Sequence, residues 1–81
     1  MSVLHESHLD GVVLALLEGR RAHGRELARA LRGAAPGDVH ASLRRLEREG
    51  LVTGRWRRRL TRQGDEALAA RRLEWRTAAR L

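Results

Sequence analysis

The stretch that decides the fold is PGDVHASLRRLEREGLV, residues 36–52. Pro36 suits the first turn of a helix, where its missing N–H costs no hydrogen bond. Asp38 adds a favourable negative charge at the same end, although it also suits the N-cap position, and the sequence leaves both placements open. The stretch predicts a helix from about Pro36 to Glu49.

This predicted helix has one apolar and one polar face. Val39, Leu43 and Leu46 recur at helical spacing and form a buried stripe. Gly50 predicts a left-handed stop, after which Leu51 packs back onto the stripe. The opposite face carries His40, Arg44, Glu47 and Arg48. A helix of this kind can pack on a small core while it presents basic side chains outward.

Two further helices are predicted before it. The first has apolar residues at helical spacing and ends at Glu18, with Gly19 placed for a left-handed cap. Its apolar stripe consists of Leu9, Val12, Val13, Leu16 and Leu17. Leu14 lies off that stripe, so either this helix touches more than its own core or Leu14 is simply exposed. The second helix runs from about Gly24 to Arg32.

After Gly50 the pattern changes to short extended segments. Residues 51–53 and 56–60 suit a very small hairpin. Trp56 is interpreted as a side chain of this hairpin that closes the core, in preference to a platform on which bases stack. Thr61 is a plausible N-cap for a last helix over about residues 62–80. The apolar surface of that helix is patchy, so it needs either the first helix or a partner subunit to pack on.

Composition limits the possible functions. The 81 residues make one domain with a small core, contain no Cys, and give the four His no ligand-like spacing, so a metal site and any cofactor are not expected. No Ser is paired with a base, and no glycine-rich phosphate loop exists, so we expect no enzyme. The apolar runs are too short for a membrane span or a signal peptide, which predicts a cytoplasmic protein.

The net charge of +7 lies entirely in the second half of the chain. Residues 1–39 contain five Arg and five acids, whereas residues 40–81 contain twelve Arg and five acids. The densest cluster is Arg55, Arg57, Arg58 and Arg59, in the predicted hairpin. This asymmetry indicates a polyanionic partner, with the hairpin along a phosphate backbone or in a minor groove. Two helices, a basic outer face and a small hairpin together predict a winged helix-turn-helix, mostly α with a small β-hairpin.

Five segments resemble PadR-like transcriptional regulators, in order and in register. VLALLEG with HGREL (residues 13–19 and 23–27) is similar to their opening, and GDVHASLRRLEREGLV (residues 37–52) is similar to their recognition helix. LTRQG (residues 60–64) and LEWR (residues 73–76) resemble the start and the body of their last helix. The resemblance implies a winged-helix regulator, usually a repressor, that binds a palindromic site in double-stranded DNA as a homodimer.

By position, the resemblance also assigns functional residues. Those expected to face DNA are Gly37, His40, Arg44 and Arg48. The hairpin arginines join them because of their charge and not because of the resemblance. The family's first and last helices build the dimer interface, and the residues expected there are Leu9, Val13, Leu14, Leu68 and Trp75. Trp75 has three open roles: core filler, interface anchor, or wall of a pocket for a small-molecule effector, which is the least favoured. The domain would comprise a helix-turn-helix core with a short wing over residues 9–60 and a dimerisation helix over residues 61–81.

The chain also departs from the family pattern. Arg25 and His40 stand at two aromatic positions, Asp38 replaces a hydroxyl residue near DNA, and the wing is much shorter. A carboxylate facing phosphates is unfavourable, and a short wing loses backbone contacts. The alternative function is therefore a winged-helix interaction module that docks an acidic protein and has lost specific DNA binding.

Overall fold

The structure is a computed structural model, and it describes residues 6–80. The described chain has four helices and one two-stranded antiparallel sheet, which confirms the predicted mostly helical fold with a small hairpin. In chain order the elements are α1 (Glu6–Leu16), α2 (Gly24–Ala30), α3 (Pro36–Arg48), β1 (Val52–Thr53), β2 (Arg59–Leu60) and α4 (Arg62–Ala79).

The third helix begins and ends as its sequence predicts. Pro36 is its first residue, and Asp38 lies in the first turn and not at the N-cap, which is Ala35. At the other end Gly50 has φ +76°. Its N–H donates to Glu47 at 3.0 Å, and the next N–H, of Leu51, donates back to the Leu46 carbonyl at 2.9 Å. These two bonds form a Schellman motif, so the predicted glycine stop is confirmed.

The first two helices are shorter than predicted. The first ends at Leu16 and not at Glu18, because residues 17–19 form a turn that leads to the left-handed Gly19 with φ +68°. The second ends at Ala30 and not at Arg32. The turn at Gly19 and the loop after the second helix both lie where the sequence predicts them. Each helix ends two residues earlier than predicted, which is within the variation common at fraying helix ends.

The wing, residues 51–61, is a minimal hairpin with an extra strand-like pairing. Val52 lies opposite Leu60, and Thr53 lies opposite Arg59. Outside the hairpin, Ala22 and Arg58 exchange two backbone hydrogen bonds, at 2.9 and 2.7 Å. The segment before α2 therefore acts as a one-residue third strand, and the wing is fastened to the helix-turn-helix unit. A single pair of residues gives no periodicity, so the sequence did not predict this contact.

Thr61 starts the last helix and joins it to the end of α3. Its Oγ1 accepts a hydrogen bond from the Gly64 N–H at 3.0 Å, which confirms the predicted N-cap, and donates one to the Gly50 carbonyl at 2.6 Å. A Cβ at Gly64 would lie only 2.0 Å from the Leu51 carbonyl oxygen. Glycine is therefore required where α4 passes close to the backbone that follows α3.

The core sits between α1, α3 and α4, with contributions from α2 and the wing. Its buried apolar side chains are Leu9, Val13, Leu14, Leu17, Ala22, Leu27, Val39, Leu43, Leu46, Val52, Leu60 and Leu68. Leu14 is fully buried because two faces of α1 are covered, one by α3 and one by α4. Neither Trp belongs to this core. Within residues 6–80, no helix has the length and apolar character needed to cross a membrane.

These positions correct part of the predicted dimer interface. Leu9, Val13, Leu14 and Leu68 are all buried inside a single chain, with at most 4% of their surface exposed. They stabilise the protomer and offer no exposed surface to a second copy. Of the five predicted interface residues, Trp75 alone is exposed, at 43%.

Candidate nucleic-acid interface

The outer face of α3 is exposed along its length. Gly37, His40, Arg44 and Arg48 all lie on the surface, as their assignment to a DNA-facing side requires. Asp38, in the first turn, is exposed as well. The helix therefore presents two guanidinium groups and one imidazole, with a single carboxylate near its N-terminus.

A buried carboxylate fixes the orientation of this helix. Asp10 of α1 is only 6% exposed, and its Oδ1 accepts a hydrogen bond of 2.5 Å from the fully buried Ser42 hydroxyl. Arg45 donates to both carboxylate oxygens, through Nη2 at 2.8 Å and Nε at 3.2 Å. Such bidentate contacts restrict both distance and rotation, so α3 is held in one register against α1. We call these three residues the Asp10 cluster.

Two adjacent arginines, Arg44 and Arg45, differ in what they contact. The hydrogen bonds to Asp10 raise the pKa of Arg45 above its ordinary value, because they stabilise the cation. The guanidinium group of Arg45 is thus held by Asp10, whereas Arg44 is exposed. Sequence reasoning missed this cluster, although a signal was present: Asp10 lies beside Leu9 on the buried face of α1, where a carboxylate needs a cationic partner.

The wing arginines are not equivalent. Arg55, Arg57 and Arg59 are exposed, in agreement with their assignment to a phosphate-binding surface. Arg58 differs, because its side chain is only 16% exposed and forms an ion pair with Glu47 of α3. This pair neutralises an acid on the outer face of α3 and ties the wing to that helix. Arg58 therefore makes a structural contact, and its assignment to DNA stays a prediction.

His23 fastens the wing tip from the other side. It shapes the entry to α2: it is the N-cap, and its backbone N–H donates to the Glu26 carboxylate at 3.0 Å. That hydrogen bond lowers the pKa of Glu26. The ring Nδ1 of His23 also lies 2.7 Å from the carbonyl oxygen of Trp56, a distance at which a protonated Nδ1 donates to it. The backbone of the wing tip is therefore fixed at both Trp56 and Arg58.

The side chain of Trp56 does not close the core. It is 76% exposed, so the interpretation of this residue as a core side chain is wrong. The physical reason is the shortness of the hairpin: Gly54 turns with φ +108°, and only residues 52, 53, 59 and 60 pair as strands. Trp56 falls in the turn and points away from the protein interior.

The second Trp lies on α4, against α1. Trp75 of α4 packs its ring edge over Gly11 of α1, where an added Cβ would approach the ring to 3.0 Å. Leu73 on the same helix is 64% exposed. A cavity of about 490 Å³ beside Trp75 is lined by His8, Arg71 and other polar side chains. This part of α4 therefore leaves apolar surface uncovered in a single chain.

The described residues contain no group of three or more His, Asp or Glu side chains placed to bind a metal ion. No protein-family model and no curated protein sequence matches the chain. A solved structure does match: the crystal structure of a PadR family transcription regulator from hypervirulent Clostridium difficile R20291. It has a TM-score of 0.80 and 24% sequence identity, and the alignment covers 89% of this chain and 91% of that one. The chain therefore has a PadR-like winged helix-turn-helix fold.

Proposed function

We propose that this protein is a cytoplasmic, DNA-binding transcriptional regulator that represses by binding a palindromic duplex site as a homodimer. The observation that carries the proposal is the exposed basic face of α3, held rigidly by the Asp10 cluster beside a basic wing. A helix of this kind fits the major groove, and a fixed orientation is what base-edge recognition requires. Arg44 is the residue we assign to base contact, since it is exposed and free of the Asp10 cluster.

The wing arginines supply charge and not sequence information in this proposal. Arg55, Arg57 and Arg59 are exposed and would contact phosphates beside the groove that α3 occupies. Glu47 is paired with Arg58, so this acid on the outer face of α3 is neutralised before DNA arrives. The wing is attached to α3 and to the residues just before α2, so its position is defined although it is short.

The dimer is proposed from the surface that one chain leaves open. Leu73 and Trp75 are 64% and 43% exposed on α4, and Val12 and Leu16 of α1 are half-buried. A symmetric contact through α1 and α4 would cover these residues and place two recognition helices at related half-sites. The cavity beside Trp75 has a mostly polar lining, which does not favour a flat aromatic effector.

One observation supports the alternative, an interaction module for an acidic protein. Asp38 is exposed in the first turn of α3, where it would approach phosphates in a docked complex. Such a module would use the same basic surface but would show weak, unselective DNA binding.

The test is a titration of fluorescently labelled duplexes, one palindromic site from the DNA upstream of the gene and one scrambled version, at several salt concentrations. Arg44→Ala should cost about 1–3 kcal/mol on the preferred site and less on scrambled DNA, because a guanine contact is lost. Arg57→Ala should weaken binding to both duplexes equally and reduce the salt slope by about one. Arg80→Ala, at the far end of α4, is the matched control. It should change neither the preference for the palindrome nor the salt slope.

The outcomes separate the two functions. If the wild-type protein prefers the palindrome and Arg44→Ala removes the preference, the regulator proposal holds. If the wild-type protein does not distinguish the palindrome from scrambled DNA, the regulator proposal fails and the interaction module replaces it.

A further inference from the structure

The aromatic side chains of this protein lie in unusual places. The chain has two Trp and no Phe or Tyr, and neither Trp belongs to the core of the described residues. Trp75 lies on the surface that we assign to a second subunit. Trp56 is the more exposed of the two, at 76%, and lies among arginines at the wing tip. Trp is enriched at interfaces because its indole combines a large apolar surface with an N–H donor.

The wing tip that carries Trp56 is fixed before any partner arrives. The His23 ring contacts the Trp56 carbonyl oxygen at 2.7 Å, and the Ala22–Arg58 backbone pairing anchors the other end of the turn. The Arg58–Glu47 ion pair adds a third attachment, to the side of α3. Because the backbone is held at these points, the exposed indole is presented with little loss of conformational freedom on binding.

The chemistry around Trp56 specifies a polyanion with apolar surface. Arg55 and Arg57 flank it in sequence, and both are exposed. A cleft of about 560 Å³ lies between the wing tip and the start of α2. Its lining includes Trp56, one carboxylate, of Glu26, and the four arginines Arg25, Arg29, Arg55 and Arg58. Duplex DNA combines a phosphate ridge with apolar sugars and base edges, so cations can contact the ridge while the indole contacts the groove behind it.

Resting on the proposed function, we propose that Trp56 is a minor-groove contact: its indole packs against the sugars and base edges of duplex DNA while Arg55 and Arg57 follow the two phosphate walls. With α3 in the major groove, the wing beside it faces the next minor groove. The minor groove is narrowest and most negative at A·T pairs, and the 2-amino group of guanine obstructs its floor. Trp56 therefore supplies a preference for minor grooves that lack this amino group.

The experiment uses alternating copolymers and needs no known operator. Poly(dI-dC) has the major groove of G·C pairs but lacks the guanine 2-amino group, so its minor groove resembles that of A·T pairs. The wild-type protein should bind poly(dA-dT) and poly(dI-dC) about equally, and poly(dG-dC) about tenfold more weakly. Trp56→Ala should weaken the first two by about tenfold, within the range found for aromatic side chains on nucleic acids, and remove the preference.

Salt dependence and fluorescence make the assignment specific. Trp56→Ala removes no charge, so the salt slope should stay unchanged, whereas Arg57→Ala should lower it by about one. Trp56→Phe should retain part of the preference, and Arg80→Ala should retain all of it. Binding of poly(dI-dC) should quench wild-type Trp fluorescence, and the quenching should be lost in Trp56→Ala. Because Trp56 is exposed, thermal unfolding of Trp56→Ala should match the wild-type protein.

Each adverse result has a distinct meaning. If Trp56→Ala binds all three copolymers as the wild-type protein does, the Trp56 inference is wrong and the proposed function stands. If Trp56→Ala weakens all three equally, the residue contacts DNA outside the minor groove, which also overturns the inference. If the wild-type protein binds none of the copolymers, the inference and the proposed function fail together.

Discussion

Removal of the Asp10 carboxylate should destabilise the protein more than any surface change. Asp10→Ala leaves the fully buried Ser42 hydroxyl without its acceptor and Arg45 without its bidentate partner. Breaking a fully buried ion pair from one side costs about 3–5 kcal/mol. Since the Arg45 side chain is 23% exposed and can turn to water, we expect the lower end, about 3 kcal/mol.

This cost is large for so small a domain. A stability of about 4–12 kcal/mol is typical of a domain of this size. A loss of about 3 kcal/mol corresponds to a fall in Tm of about 12–24 °C. Ser42→Ala removes one hydrogen bond to a charged acceptor but keeps the ion pair, so it should cost about half as much, about 1.5 kcal/mol. Asp10→Asn, which keeps the shape but not the charge, should fall between the wild-type protein and Asp10→Ala.

The assay is thermal and urea unfolding followed by circular dichroism, at one fixed protomer concentration because dimerisation would shift Tm. Glu74→Ala is the matched control, since it removes an exposed carboxylate from α4. A loss for Asp10→Ala no larger than that for Glu74→Ala would refute the reasoning that the Asp10 cluster holds α3 against α1.

Three further predictions concern packing, pH and assembly. Gly64→Ala should cost about 1–3 kcal/mol in urea unfolding, because its Cβ meets a backbone carbonyl at 2.0 Å, whereas Gly33→Ala, where no atom lies within 4 Å, should be nearly neutral. The hydrogen bond from Arg72 lowers the pKa of Glu18 below 4.5, so this pair contributes stability above that pH and loses it as pH falls through the lowered pKa. In an NMR titration, Arg72→Ala should raise the Glu18 pKa, and an unchanged value would exclude the ion pair. Leu73→Asp should give a folded monomer by analytical ultracentrifugation where the wild-type protein is a dimer, and a wild-type monomer at micromolar concentration would contradict the dimer.

The local signals of the sequence predicted most of the fold. Pro36 begins α3 and Gly50 ends it, because the proline ring and a positive φ each restrict the backbone within a few residues. Thr61 caps α4 through an equally local hydrogen bond. The helical spacing of leucines placed the core. The concentration of arginine in the second half of the chain is the basis on which a polyanionic partner is predicted.

Only the tertiary structure decided what each charged or aromatic side chain faces. Arg44 and Arg45 are adjacent and identical in sequence, yet one is exposed and the other bonds Asp10, which lies on a different helix. Trp56 is exposed because the hairpin is too short to fold it inward. Leu14 is buried because α1 packs against both α3 and α4 and not against one helix alone. These outcomes depend on contacts between residues far apart in the chain. Periodicity and capping describe residues that are close in sequence, and composition does not say which residues meet.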